Sequence, residues 1–373
     1  VITLLADKNI PFLSDLLPNG VSLKLFDPDA GLPSFDESVD VLFIRTVTKI
    51  NDSSLSLAQF PNLKLIGSAS AGVDHVDINF LNNSDINFIY AAGCNANAVA
   101  EYVATGVLEW AISSDYLPSN LTVGVVGVGH TGTATTELLR AVGFSVILND
   151  PPKEKVDPMF TGVTKSTILD ADILSFHVPL IPLGEDFSTW HWLDSECISK
   201  MKTQLIVNAS RGGVVDESAL IAARSAGKKI DFILDVWENE PSVSPAVLKL
   251  SYLGTPHIAG YSQESKFNGT AMIVSELIHF FDLANDDHKI KSFEAMDAWT
   301  PNTQQSDIRG LHPMFGLSDQ LKSGITDIEA ENIKLFRKLR VHSSLRKEYR
   351  HVGSLDFPVG SPIQKILMVQ GIK

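Results

Sequence analysis

Short apolar runs recur along this chain at strand length, with polar or weakly helical stretches between them, and that rhythm constrains the fold more than any single residue. In the first 90 residues the runs are VITLLA, VSLKLF, VDVLFI, LKLIGS and INFIY. Spaced this way, they predict a small α/β domain with a parallel sheet. From Asn95 to about Ser114 the segment NANAVAEYVATGVLEWAISS has helical periodicity and an asparagine at a plausible N-cap, so it predicts a helix connecting two domains. A second α/β series follows: TVGVVGVGHTG, VILND, DILSFH, LIVNAS, DFILDV and YLGTPH. Gln263 to Asp282 predicts another helix, and Asn285-Asp286-Asp287 a linker. Residues 288–373 mix charged helical pieces such as DIEAENIKLFRKLR with the apolar run KILMVQ, enough chain for a small extra domain.

A chain of 373 residues, 44% of them hydrophobic, has room for two or three domains with substantial cores. Its net charge of -14 and pI near 5.1 weigh against nonspecific attraction to nucleic acid or an anionic membrane, so an anionic substrate needs local cations. The two cysteines, Cys94 and Cys197, are too few for a disulfide framework and lack metal-ligand spacing; a reducing cytoplasm and no metal are expected. No apolar stretch reaches membrane-spanning length, and the opening VITLLADKNIP reads as a strand and turn rather than a cleavable signal.

The strongest binding signal is Gly127-Val128-Gly129-His130-Thr131-Gly132, which follows the run TVGVV and precedes a predicted helix, ATTELLRAV. In that setting the first glycine permits a tight turn, the second lets backbone approach a pyrophosphate, and the third allows close packing of helix on sheet. Amides at the helix N-terminus then face the phosphates. Asp150 stands 18 residues beyond Gly132, where a carboxylate accepts hydrogen bonds from the adenine ribose and repels the 2′-phosphate of NADP. NAD is the expected cofactor. Lys153 and Lys155 are the nearby charges that work against that choice.

Three later runs each lead to a different polar residue: LIVNASR to Arg211, FILDVWENE to Glu240 and YLGTPH to His257. Parallel strands end on one edge, so the loops after them gather around a shared crevice. Oxidising a secondary alcohol requires removal of the hydroxyl proton as hydride leaves the same carbon. His257 suits that proton transfer because imidazole titrates near neutral pH. Glu240 is placed to hold the other ring nitrogen, and Arg211 to grip a substrate carboxylate through its planar fork. Singly each has a bland reading; together, after a dinucleotide fingerprint, they point to a 2-hydroxy acid dehydrogenase.

GVGHTG, the following Asp150, NASRGGVVDE, LDVWENEP and TPHIAGYS together resemble the D-2-hydroxyacid dehydrogenases. The resemblance implies an α/β fold with a split flavodoxin-like substrate domain (1–93 and 258–285), an inserted Rossmann NAD domain (94–257) and a small α+β C-terminal dimerisation domain (286–373). It also implies a catalytic set of Arg211, Glu240 and His257. LADKNIPF, IRTVTKIN, SASAGVDHVD, AAGCNANAVAEYV and NDPP are similar to one branch of that family, whose substrate is 4-phospho-D-erythronate, oxidised at C2 on a route to pyridoxal 5′-phosphate. That likeness places Thr46, Ser70 and Gly72 in substrate-contacting loops and Gly260 and Tyr261 over cofactor and substrate. Val178 falls beside the cofactor, and Asp235 is expected to support the site from the strand before Glu240. A homodimer is implied.

Selection for the phosphate is less determined. Arg45 and Lys49 are cations in or near the substrate-domain loop, and Arg346 and Arg350 are others that the C-terminal segment could present. His75, His177 and Cys94 read more simply as packed or locally hydrogen-bonded residues. Two alternatives stay open at this point: a dehydrogenase for another D-2-hydroxy acid such as glycerate, 3-phosphoglycerate or lactate, and an NAD-sensing corepressor on the same scaffold.

Overall fold

The computed structural model describes residues 1–283, 308–342, 346–351 and 362–369. Each run of the two series contributes a strand. β1 (Ile2–Asp7), β2 (Val21–Phe26), β3 (Val41–Ile44), β4 (Leu65–Ser68) and β5 (Asn87–Tyr90) form a parallel sheet in the order β2-β1-β3-β4-β5. β6 (Thr122–Val126), β7 (Ser145–Asn149), β8 (Ile173–Phe176), β9 (Leu205–Asn208), β10 (Asp231–Leu234) and β11 (Leu253–Gly254) form a second parallel sheet in the order β11-β10-β9-β8-β6-β7. In both sheets the strand order reverses at the first strand, between β1 and β3 and between β6 and β8. Loops leaving such a pair diverge and open a crevice at the strands' carboxyl ends.

Residue contacts divide the chain into two units, Val1–Asn95 with Glu264–Met296 and Ala96–Gln263 with Asp297–Lys373. In the first, alternate strand residues face opposite sides. Leu4, Ala6, Val41, Phe43 and Leu65 pack with Ile273, Val274 and Leu277 of the helix Gln263–Phe280. Leu5, Leu42, Ile44 and Ile66 pack with Phe60, Val76 and Leu81 on the other face. Burial of this kind stabilises by roughly 25 cal/mol per Å² of apolar surface.

The second unit is built on the helix Ala96–Ser113, which is buried through nearly its whole length. Asn95, one candidate for its cap, has a buried Oδ1 that accepts no hydrogen bond. The described C-terminal residues share this unit's core through Leu311, Met314, Phe315, Phe336, Leu339 and Tyr349. They include the helices Met314–Gly324, Glu329–His342 and Pro362–Val369; the expected linker at Asn285-Asp286-Asp287 lies outside the described residues.

One sequence expectation is corrected here. Arg346, considered as a phosphate contact, is buried and pairs with Glu101 of the long helix at 2.7 Å, and its Nη2 donates to the Ala98 carbonyl at 3.0 Å. The Tyr349 amide donates a hydrogen bond to Glu101 at 2.8 Å and its hydroxyl meets that of Thr105 at 2.8 Å, while Asn97 donates to Glu348 at 2.7 Å. Burial pushes the Glu101 carboxyl up to about 8 against the pull of Arg346. Removing one member of such a buried pair costs about 3–5 kcal/mol, so Arg346 acts as an anchor of the C-terminal segment. Arg350 is likewise engaged, with Glu348 at 3.1 Å.

Candidate active site

The chain leaves β6 at Val126 and turns at Gly127, whose φ of +89° is open to glycine and costly for other residues. A Cβ there would stand 2.7 Å from the His177 carbonyl oxygen, and one on Gly132 would stand 2.0 Å from the Gly127 carbonyl oxygen. The loop is therefore wound directly against its own helix, His130–Val142. Gly129 is the N-cap, no side chain caps the helix, and nothing lies within 4 Å of a Cβ built on it. His130 and Thr131 begin the first turn. Its amides have no intrahelical partners, so the cradle fits a pyrophosphate.

Asp150, just past β7, accepts from the amides of Val128 at 2.7 Å and Lys153 at 3.0 Å, which fixes its carboxylate beside the loop with lone pairs to spare. Lys153, one of the two charges that worked against NAD, donates from its ammonium to the Val128 carbonyl at 3.0 Å. Val178 packs on the same turn, its Cγ1 2.7 Å from a Cβ built on Gly127. These residues fit NAD, which supplies the hydride acceptor when bound.

β9, β10 and β11 are successive neighbours in the sheet, and the loops after them carry Arg211, Glu240 and His257. His257 has a φ of +56°, an uncommon conformation for a non-glycine residue that its surroundings hold in place. Its amide donates to the Asp235 carbonyl at 2.8 Å. The buried Asp235 carboxylate then accepts from the amides of Ile258 at 2.7 Å and Ala259 at 2.8 Å and from the Thr255 hydroxyl at 2.6 Å. Burial raises the Asp235 pKa, and the charge on His257 opposes that rise. Asp235 thus fastens the His257 turn to the end of β10.

His257 Nδ1 meets Glu240 Oε2 at 2.6 Å, which leaves Nε2 to exchange a proton. The other Glu240 oxygen accepts from the Trp237 amide at 3.1 Å. Burial pushes the Glu240 carboxyl up, but the charge and hydrogen bond of His257, the Trp237 amide and the charge of Arg340 together hold it below its ordinary range. Arg211 begins the turn Gly212–Val214, with Nη1 donating to the Ser210 carbonyl at 2.8 Å and its own carbonyl accepting from Asn208 at 2.8 Å. A Cβ on Gly212 would lie 1.9 Å from the Trp237 oxygen, so the Arg211 turn rests on the backbone leading into Glu240.

Sequence reasoning missed the groups that brace these loops. Glu217 and Glu238 accept each other's amide protons, both at 2.9 Å, and so tie the chain beyond Arg211 to the chain before Glu240. His191 lies 3.2 Å from Glu238 and 3.7 Å from Asp216, the N-cap of the helix Glu217–Ser225. Burial, with the nearby carboxylates of Glu238, Glu240 and Asp216, pushes the Glu217 carboxyl up to about 7 despite the amide it accepts. From the C-terminal helix Glu329–His342, the Arg340 guanidinium lies 5.3 Å from the Tyr261 ring centroid. Arg346 and Glu348 hold the next two residues, through Gln263 at 3.0 Å and Ser262 at 2.9 Å. Gly260 is half-buried in the turn before them.

In the first unit, Arg45 follows β3 and pairs with Asp7, the last residue of β1, at 2.9 Å. Thr46 and Lys49 are exposed on the same loop. After β4, Ser70 Oγ lies 2.7 Å from Ser68 Oγ and 2.9 Å from the Gly72 carbonyl, and Ser68 also meets His75 Nε2 at 2.9 Å. His75 thus closes a local hydroxyl chain. His177, held by Ser175 at 2.8 Å, is pushed down to about 3 by burial and serves as a neutral packed residue; Cys94 and Cys197 are buried free thiols.

Residues 89–259 match the model of the D-isomer specific 2-hydroxyacid dehydrogenase NAD binding domain. An erythronate-4-phosphate dehydrogenase from Idiomarina loihiensis is 38% identical over 353 residues, covering 93% of this chain and 90% of that protein. One from a Shewanella species is 40% identical over 293 residues, covering 76% of this chain and 75% of that protein. Among solved structures, a D-lactate dehydrogenase from Aquifex aeolicus in complex with NAD and lactic acid superposes with a TM-score of 0.58 at 23% identity, covering 78% of this chain and 97% of that one. That last likeness speaks to fold.

Proposed function

This chain belongs to the erythronate-4-phosphate dehydrogenases and carries the NAD-binding domain of the D-isomer specific 2-hydroxyacid dehydrogenases, and on that premise we propose that it oxidises 4-phospho-D-erythronate at C2, giving 2-oxo-3-hydroxy-4-phosphobutanoate for pyridoxal 5′-phosphate synthesis. The observation that carries the chemistry is the 2.6 Å contact between His257 Nδ1 and Glu240, with the histidine's backbone fixed by Asp235. His257 Nε2 accepts the C2 hydroxyl proton, and the ionised Glu240 stabilises the imidazolium that results. In the reverse direction the same nitrogen is the acid. Arg211 binds the substrate carboxylate and polarises the adjacent oxygen.

Gly127, Gly129, His130, Thr131, Gly132, Asp150, Val178, Asp235 and Gly260 are assigned to the cofactor or its support, and Arg45, Thr46, Ser70, Gly72 and Tyr261 to the substrate. The three-domain division is kept in this reading, with residues 286–373 as a homodimerisation module. A cytoplasmic location fits two free thiols and the absence, among the described residues, of any helix long and apolar enough to cross a membrane.

The test is a steady-state comparison of 4-phospho-D-erythronate with glycerate, lactate and 3-phosphoglycerate, with a 2-oxo acid present to reoxidise the nicotinamide. Preference for the first supports the reading. A better rate on another acid reassigns the substrate, and negligible turnover of all four favours an NAD-binding sensor. Sedimentation of the full chain reads the dimer.

A further inference from the structure

We propose that Lys266 acts with Arg45 as the subsite for the substrate's phosphate monoester, at the point where the strand order of the first sheet reverses. This deepens the functional reading above and rests on it. β1 and β3 are paired there, and Asp7 and Arg45 stand at their carboxyl ends. Ligands of open parallel sheets bind at such a point. Arg45 is fixed by Asp7 through Nε at 2.9 Å and Nη2 at 3.4 Å. Two of the five N–H donors of a guanidinium are thereby used, and the side chain keeps 32% of its surface exposed.

The helix Gln263–Phe280 brings the second cation. A Cβ on its Gly269 would lie 3.4 Å from the Ala69 carbonyl, and its Thr270 hydroxyl donates to the Pro11 carbonyl at 2.8 Å. Ala69 in turn donates its amide to the carbonyl of Ile44, the residue before Arg45, at 3.0 Å. The helix is therefore seated on the loops after β1 and β4. Lys266 precedes Gly269 by three residues and Thr270 by four, which puts it on the same face one turn nearer the helix start. Arg45 is close enough that its charge, after burial, lowers the Lys266 pKa.

Arg45 and Lys266 bring two positive charges together, with Asp7 paired to the first, in a chain whose net charge is -14. A phosphate monoester carries about -1.5 to -2 at neutral pH, so it offsets the mutual repulsion of the two cations and gains charge-assisted hydrogen bonds from both. Thr46, adjacent in sequence to Arg45, is exposed on the same loop. The other arginines weighed for this role, Arg346 and Arg350, are committed to Glu101 and Glu348.

Lys266→Met in the full-length protein should lower kcat/KM for 4-phospho-D-erythronate about ten- to a hundredfold relative to D-erythronate, mainly through KM, the range for one hydrogen bond to a charged group. Lys266→Arg should recover much of the loss. Calorimetric titration with inorganic phosphate reads the same subsite without turnover, and Lys266→Met should weaken that binding by a similar factor. Equal loss on both substrates, or unchanged phosphate binding, overturns the subsite. Failure of the unmodified protein to oxidise 4-phospho-D-erythronate would instead count against the functional reading, and phosphate titration would still decide the subsite.

Discussion

The two parallel sheets reverse their strand order in the same way, around β1 in one and β6 in the other, yet they equip that point differently. After β6 the chain presents backbone: a glycine turn at φ +89°, an uncapped helix start and open space above Gly129. After β1 and β3 it presents side chains, the Asp7 and Arg45 pair with Lys266 from a later helix. A backbone cradle tolerates almost no change, because a single added carbon collides with a carbonyl. A side-chain cradle can be weakened one charge at a time. The comparison implies that substitutions in the second unit act on cofactor binding and chemistry, and those at the first sheet's edge on substrate discrimination.

The largest effect should come from His257→Ala, which is expected to cut kcat by about 10² to 10⁴ while leaving NAD affinity within a few-fold. Stopped-flow turnover with fluorescence titration of NADH checks it, and near-normal turnover would remove His257 from the chemistry. Gly132→Ala should come next. Its methyl would need the space held by the Gly127 carbonyl at 2.0 Å, so NAD affinity should fall by at least about tenfold while circular dichroism shows the fold intact. Unchanged affinity would mean that the loop does not hold the pyrophosphate.

The brace between the Arg211 and Glu240 loops has a pH signature. Glu217 is held near pKa 7 in the folded chain against a usual value of 4.5, so the folded state keeps its proton while the unfolded state loses it. Its contribution to stability is therefore fully present below about pH 4.5 and declines as pH rises toward 7, by on the order of 3 kcal/mol. Glu217→Gln should show a melting temperature close to the parent near pH 5 and above it at pH 8. A constant difference across that range would contradict the assignment. The smallest effect is expected at Arg340. Arg340→Met should lower kcat several-fold and move the acidic limb of the kcat profile upward, because Glu240 loses one of the charges that keep it ionised. Arg340→Lys should retain the charge effect and lose part of the Tyr261 contact, and an unshifted profile in Arg340→Met would rule out an electrostatic role toward Glu240.

Much of this was legible in the chain. Among the described residues all eleven strands fall on apolar runs, because a parallel sheet covered on both faces demands short continuous apolar segments. The glycine loop and Asp150 were legible because their partners are local: a turn, a helix start and the strand beside them. Glu240 and His257 could be named as partners because each follows a strand of the same sheet. The brace of His191, Asp216, Glu217 and Glu238 was not legible, since its reciprocal bonds join residues 21 apart whose separate sequences resemble ordinary loops. The setting of Arg346 was not legible for the same reason. Its partner Glu101 is 245 residues away, and an arginine in SLRKEYR looks like solvated charge until that partner is known.

By itself, then, the sequence determined the two α/β series, the glycine loop and the placing of Arg211, Glu240 and His257 just after successive strands, because hydrophobic period and backbone conformation are properties of neighbouring residues. Tertiary structure alone decided which charges are paired and which groups they meet. Whether Arg346 meets a buried glutamate, whether Lys266 feels the charge of Arg45, and whether Glu217 keeps its proton depend on burial and on the distance to groups far off in the chain. Electrostatic interactions are set by separation in space and by the surrounding dielectric, and neither is written in the spacing of residues along the polypeptide.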